Sequence, residues 1–439
     1  MKFLHRQAPA FPLTQLVAIF PRTGVCLDPP NKQGLTRLTT RMLFTGAGGM
    51  SHNEFNSRTE RLGASTAGSL ANDHFTLRLA TLTANLDAAL DLFLTAITQP
   101  NLDEEEFRRL REEVHSTWIS DREEHKQLRA QEVYMRRIYG GSPTGYQTDG
   151  TGAGIRNVTI DDVRTHYGRL YERAEPVLAV LTDLPRAEAQ RRIADRFDIH
   201  AKPPDGAPYP WDEFGAARPE GRQIAIVPDP DTQTDELIAG AFSAGENDPE
   251  WHVHRLIALI FGGDMNSRLF RVIRGEHGYS YGASCWYESA RGYSPRDQIS
   301  PFTMYTFPTT EHTGEALPML ISLYEEFVEK GVGEDELALA KKTLIHSHPF
   351  LRDTPQKQLS LDCDEALYGI PTDEDDTNRR KIESVTPEDI SRVLRERHHP
   401  ESLTLVMLGD PRRLEPLAER IPGVGRIDLV EYPPPLQPA

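Results

Sequence analysis

Short apolar runs bounded by turn-forming residues recur along the chain. Leu16 to Phe20 is the first, Pro176 to Leu181 and Leu403 to Leu408 follow, and Arg222 to Val227 with Glu236 to Phe242 lie just past the midpoint. Runs of this length and flanking predict strands inside a sheet. Between them the period changes. Helices are predicted over Gly34 to Phe44, Asn53 to Leu62, Leu86 to Ala96 and Asp103 to about Trp118, where Phe107, Leu110, Val114 and Trp118 form one apolar face. Further on, Arg268 to Arg274 reads as a helix end, stopped by glycine with a cation in its last turn. Tyr279 to Glu288 then alternates as a strand, which puts Tyr281, Ala283, Cys285 and Tyr287 on one face. The mixture predicts an α+β fold with mostly antiparallel sheets packed against helices.

One pattern occurs twice. Val158-Thr159-Ile160-Asp161-Asp162-Val163 is matched 227 residues later by Val385-Thr386-Pro387-Glu388-Asp389-Ile390. In each copy a threonine precedes an acidic pair, as an N-cap with carboxylates in the first turn should, and an apolar strand follows the helix. Two duplicated sandwich domains are therefore expected, over residues 1–201 and 222–439. Lys202 to Gly221, rich in proline and glycine, resists helix and central strand and reads as the linker. The tail from Tyr432 to Leu436 reads as extended polyproline.

Composition narrows the possible functions. The 439 residues suffice for two buried cores, and no apolar run approaches the ~18 residues that span a bilayer. Pro9, Pro12 and Gln15 interrupt the N-terminal stretch where a signal peptide would need its apolar region, so no membrane association and a cytoplasmic location are expected. Three cysteines far apart, Cys26, Cys285 and Cys363, fit neither a disulfide framework nor a zinc ribbon. A formal charge of -17 repels phosphate backbones, which disfavours nucleic acid and suits a cationic peptide better.

Two segments carry candidate chemistry. In the first, Gly34 to Gly46, Arg37 and Arg41 stand one helical turn apart and read by themselves as solvated helix arginines. The histidine pairs His252/His254, His346/His348 and His398/His399 lack an acidic third ligand nearby and read as structural or surface residues. In the second, Phe261-Gly262-Gly263 leads through Ser267-Arg268-Leu269-Phe270 to Arg274 and, seven residues on, Tyr281.

Both segments resemble the pitrilysin/insulinase-type zinc peptidases, the inverzincins. The resemblance covers essentially the whole chain. In that family the first helix carries H-x-x-E-H and leaves through a Met/Leu-Phe-x-Gly exit. Here Met42-Leu43-Phe44-Thr45-Gly46 keeps the exit, while Arg37 and Arg41 stand at the histidine positions and Thr40 at the general-base glutamate. The family's third ligand, counted from Arg41, falls on Thr117; Glu112, Glu113 and His115 are near enough that a shifted alignment restores one ligand. A guanidinium has no lone pair to offer and stays protonated, so no zinc is expected in this chain.

The second segment keeps what the family places opposite the zinc: an arginine that holds a substrate carbonyl and a tyrosine that donates to the carbonyl under attack. The resemblance gives those roles to Arg274 and Tyr281. It implies a non-catalytic, substrate-binding subunit, of bacterial type, whose homologous partner brings H-x-x-E-H and the zinc, with an extended peptide as substrate and a homodimer as a further form of the isolated chain. The alternative is an inactive peptide-binding or structural scaffold without a catalytic partner. An independent zinc peptidase with a displaced site is the third and weakest reading.

Overall fold

Thr159 and Thr386 repeat in geometry as well as in sequence. Asp162 accepts from the Thr159 N–H and hydroxyl at 2.9 and 2.7 Å, and its own N–H donates to Thr159 Oγ1 at 3.2 Å. The Asp389–Thr386 box has the same three bonds at 2.9, 2.8 and 3.2 Å. Each box satisfies otherwise orphaned N–H groups at a helix start. The computed structural model describes the chain except residues 174, 198–209, 211–217, 247, 289–299, 370–374 and 433–439. Most of the expected linker, and the tail beyond Tyr432, lie outside the described residues.

The first half contains β1 (Lys2–Gln7), β2 (Leu13–Pro21), α1 (Leu35–Met42), α2 (His52–Arg61), β3 (Ser65–Leu70), β4 (His74–Leu82), α3 (Leu86–Thr98), α4 (Glu104–Glu124), α5 (Lys126–Ile138), α6 (Gly152–Asn157), α7 (Ile160–Arg173), β5 (Val177–Thr182) and α8 (Arg186–Arg192). The second contains β6 (Arg222–Pro228), β7 (Glu236–Phe242), α9 (Trp251–Ala258), β8 (Ser280–Tyr287), β9 (Pro301–Pro308), α10 (Thr313–Lys330), α11 (Glu334–Ser347), α12 (Pro355–Tyr368), α13 (Asp375–Ser384), α14 (Pro387–Arg397), β10 (Thr404–Gly409), α15 (Pro411–Ala418) and β11 (Val424–Leu429). The helix expected to end near Trp118 runs on to Glu124. Its last turn has no apolar stripe to reveal it; buried Arg122 instead stacks over Trp118 and pairs with Glu132 of α5 at 3.1 Å.

The strand orders are β1-β5-β2-β4-β3 and β11-β6-β10-β7-β9-β8. Without β11 the two are the same order, strand for strand, so the duplication extends to topology. Most pairings are antiparallel, but β1–β5, β6–β10 and β11–β6 are parallel, and each sheet is mixed. Leu16 to Phe20 is not the counterpart of Arg222 to Val227. That role belongs to β1, which the pattern did not reveal because Lys2, His5, Arg6 and Gln7 make it polar enough for a sheet edge.

Each sheet has two apolar faces. On the second, Leu405 and Met407 of β10 join the main core, whereas Val406 and Leu408 face the other way. That other face is covered by α5 from the first half, through Ala130, Val133, Tyr134 and Ile138. In return α12 lies on β1 and β5, with Leu367 against Ile19 and Val177 and a two-bond Arg6–Asp362 pair at 2.7 Å. The halves thus exchange a helix, and neither sheet is fully covered without the other half.

Candidate functional site

Helix α1 begins where Asp28, buried beneath it, accepts from the N–H groups of Gly34 and Thr36 at 2.7 and 2.9 Å and from the Thr36 hydroxyl at 2.6 Å. Burial raises the Asp28 carboxyl to about 6 against these bonds. Gly34 enters the helix at φ 112°, a conformation that favours glycine. Leu35, Leu38 and Met42 pack against Phe107, Leu110, Val114 and Trp118 of α4.

This packing sets the surroundings of the three side chains that the resemblance gives to the zinc site, Arg37, Thr40 and Arg41. The half-buried Arg37 reaches the backbone oxygen of Asp149 at 3.3 Å and its Oδ1 at 3.4 Å. Arg41 pairs with Glu113 of α4 at 2.7 Å. Thr40, 2% exposed, faces β3, where a Cβ on Gly68 would lie 2.7 Å from Thr40 Cγ2. Thr117 is exposed on α4, and the carboxylate of that helix that pairs with α1 is Glu113, one turn earlier.

In the other half, Arg274 sits in a π-helical stretch, Phe270–Glu276, a wide turn often found at functional sites. Its guanidinium lies over the Tyr281 ring at 4.2 Å from the centroid and over Phe270 at 4.8 Å. Tyr281 does not share the face of Ala283 and Cys285, contrary to the alternation. Ser280 pairs with Pro308 but Ala283 pairs with Thr306, so β8 carries one extra residue. This bulge turns Tyr281 outward, 74% exposed, while Ser280, Ala283 and Cys285 point in. Bulges commonly re-aim a side chain beside a binding site. Arg268, by contrast, is structural: it holds Glu336 at 2.8 and 2.6 Å and the Gly331 carbonyl at 2.8 Å.

Residues 14–152 match the family profile described as "Insulinase (Peptidase family M16)", and residues 157–344 match "Peptidase M16 inactive domain". The chain belongs to peptidase family M16. It is 20% identical over 393 residues to the "Non-peptidase homolog YmxG" of Helicobacter pylori, covering 89% of this chain and 88% of that protein. An uncharacterized zinc protease of Streptomyces coelicolor is 22% identical, covering 86% and 81%. The crystal structure of a peptidase M16 inactive domain from Pseudomonas fluorescens superposes with a TM-score of 0.79 at 21% identity, over 93% of this chain and 94% of that one, which shows the shared fold.

Within M16 this is a non-catalytic member. The residues at the zinc position do not fit the metal: Arg37 and Arg41 are cations without lone pairs, Thr40 is no base, and Glu113 is engaged by Arg41. No group of three or more His, Cys, Asp or Glu side chains among the described residues is placed to hold a metal. No described helix is long and apolar enough to cross a membrane.

The histidines pair differently from their order in sequence. His254 and His398 stack at 6.2 Å, and the Tyr287 hydroxyl lies 2.8 Å from His254 Nδ1 and 3.1 Å from His398 Nε2. The Tyr324 hydroxyl holds His398 Nδ1 at 2.9 Å. Burial depresses both imidazoles, His254 to about 4 and His398 well below its ordinary value. Only the tertiary fold brings these residues together.

Proposed function

We propose that this M16 chain is the substrate-binding, non-catalytic subunit of a heteromeric zinc metallopeptidase, and that it supplies Arg274 and Tyr281 to the active site of a homologous partner bearing H-x-x-E-H. The observation that carries this reading is the asymmetry between the halves. At the positions that the resemblance gives to the two zinc histidines and the base glutamate stand Arg37, Arg41 and Thr40, while the Arg274–Tyr281 pair stays stacked at 4.2 Å, with its phenol turned toward solvent by a bulge. Among the described residues the Arg274 guanidinium and the Tyr281 hydroxyl have no hydrogen-bond partner, so both are free to donate to a carbonyl on which charge develops.

An extended peptide would add to a sheet edge, where main-chain hydrogen bonds tolerate many side chains. β3 offers such an edge: among the described residues it pairs only with β4, and Ser65, Ala67, Gly68 and Ser69 are exposed. Co-expression with a zinc-bearing M16 homologue from the same genome, followed by peptidase assays on each chain and on the mixture, tests the proposal. Activity confined to the mixture supports it. A mixture that assembles and works equally well with Arg274 and Tyr281 replaced would leave the scaffold reading, toward which the non-peptidase relative points. The cytoplasmic location is part of the same proposal, and cell fractionation checks it.

A further inference from the structure

We propose that the former zinc position is a carboxylate-binding subsite, in which Arg37 and Arg41 receive an anionic group of a peptide lying along β3. The inference rests on the peptide-binding reading above and names the chemistry of the ligand.

Three guanidinium groups crowd this place. Arg37 and Arg41 are a like-charged i, i+4 pair, which by itself is unfavourable. Both contacts from Arg37 to Asp149, at 3.3 and 3.4 Å, are long beside the roughly 2.7–2.9 Å of a charge-assisted hydrogen bond. Arg122, 4% exposed, approaches the same carboxylate at 3.6 Å, and its Nη1 has no hydrogen-bond partner among the described residues. Asp149 is therefore shared by two cations and tightly held by neither, and Glu113 is shared between Arg41 and Arg109. Burial lowers the pKa of Arg37, and Arg41 and Arg122 add to it against Asp149 and Asp121.

The position suits a peptide on the sheet edge. Thr40, between the two arginines in the helix, touches β3 at Gly68, and its buried hydroxyl lacks a partner among the described residues. A strand added outside β3 would pass beside the arginine face of α1. A guanidinium presents a planar fork of donors that matches a carboxylate bidentately, so an incoming carboxylate gains the contacts that Asp149 leaves unmade. The same chemistry is offered by a peptide's terminal carboxylate and by an acidic side chain.

The test is fluorescence anisotropy of the full chain with one short, extended, labelled peptide in three forms: C-terminal carboxylate, C-terminal amide, and amide with one internal Gln→Glu change. Either carboxylate form is expected to bind about tenfold more tightly than the plain amide at low salt, with the preference shrinking as salt rises. Preference for the first form alone assigns the site to chain ends, and preference for the third alone assigns it to side chains. Arg37→Gln with Arg41→Gln should abolish the preference, bringing both carboxylate forms to the affinity of the amide form on the same variant. Arg412→Gln with Arg426→Gln, which removes the same net charge from exposed positions, should keep the preference. The wild-type comparison needs no variant and holds even if the arginine replacements unfold. Equal binding of all three forms would overturn the carboxylate site and leave peptide binding standing. If no form binds, both readings fall.

Discussion

Acidification is expected to destabilise the second half through His254 and His398, well above the pH at which most carboxylates titrate. Both imidazoles are buried and neutral in the fold, and His254 Nε2 has no acceptor among the described residues, so protonation would leave an N–H unpaired in an apolar core. Asp248 and Glu250 favour the charged form of His254, but desolvation outweighs them, and Arg397 and His252 oppose it. The folded pKa of His254, about 4, lies below its ordinary 6.5. Between these values the unfolded chain binds the extra proton, so stability is complete above about 6.5 and falls as the pH drops. At about 1.4 kcal/mol per pH unit, His254 alone costs about 2 kcal/mol by pH 5 and about 3 kcal/mol by pH 4. His398 acts in the same direction. Urea denaturation from neutral pH to about 4.5, read by tryptophan fluorescence, measures this; Trp251 is a local reporter, 5.1 Å from the Tyr287 ring. His254→Gln with His398→Gln should flatten the dependence between pH 6.5 and 5, whatever it does to stability at neutral pH. A wild-type stability that stays level across that window, or a slope that survives in the double variant, would refute the reasoning.

Metal analysis of the purified chain should find no stoichiometric zinc after dialysis; one zinc per chain would contradict the assignment of Arg37, Thr40 and Arg41 to the ligand and base positions. Tyr281→Phe should leave folding and assembly intact and lower turnover of the mixed enzyme by about 10- to 1,000-fold, read in steady-state kinetics. Arg274→Ala should in addition raise KM, because the proposed role has its guanidinium hold the bound peptide before reaction. Tyr134→Ala in α5 should cost about 3–5 kcal/mol, since the ring is fully buried against the second sheet and its hydroxyl meets Thr303 at 2.8 Å. Calorimetry of the wild type should show one transition for both halves, and two well-separated transitions would count against the exchange of helices.

Much of the fold was legible because its signals are local. A threonine followed by acidic residues specifies a capped helix start, a buried strand needs an apolar run, and the duplicated strand-helix order followed from two such segments. The unsuitability of Arg37 and Arg41 as zinc ligands was equally local, because a guanidinium offers no lone pair in any tertiary context. What the chain concealed depends on distant partners. β1 is too polar to stand out and is a strand only because β5 lies beside it, and the last turn of α4 depends on an ion pair with α5. The exchange of α5 and α12 could not be read from amphipathicity, which shows that a face is buried but not by which half. Tyr281 is the sharpest case: alternation placed it with Ala283 and Cys285, and one extra residue in β8 turned it out toward Arg274. Side-chain direction in a strand has a period of two, so a single-residue shift in register, set by pairing with β9, decides whether that tyrosine is buried or exposed.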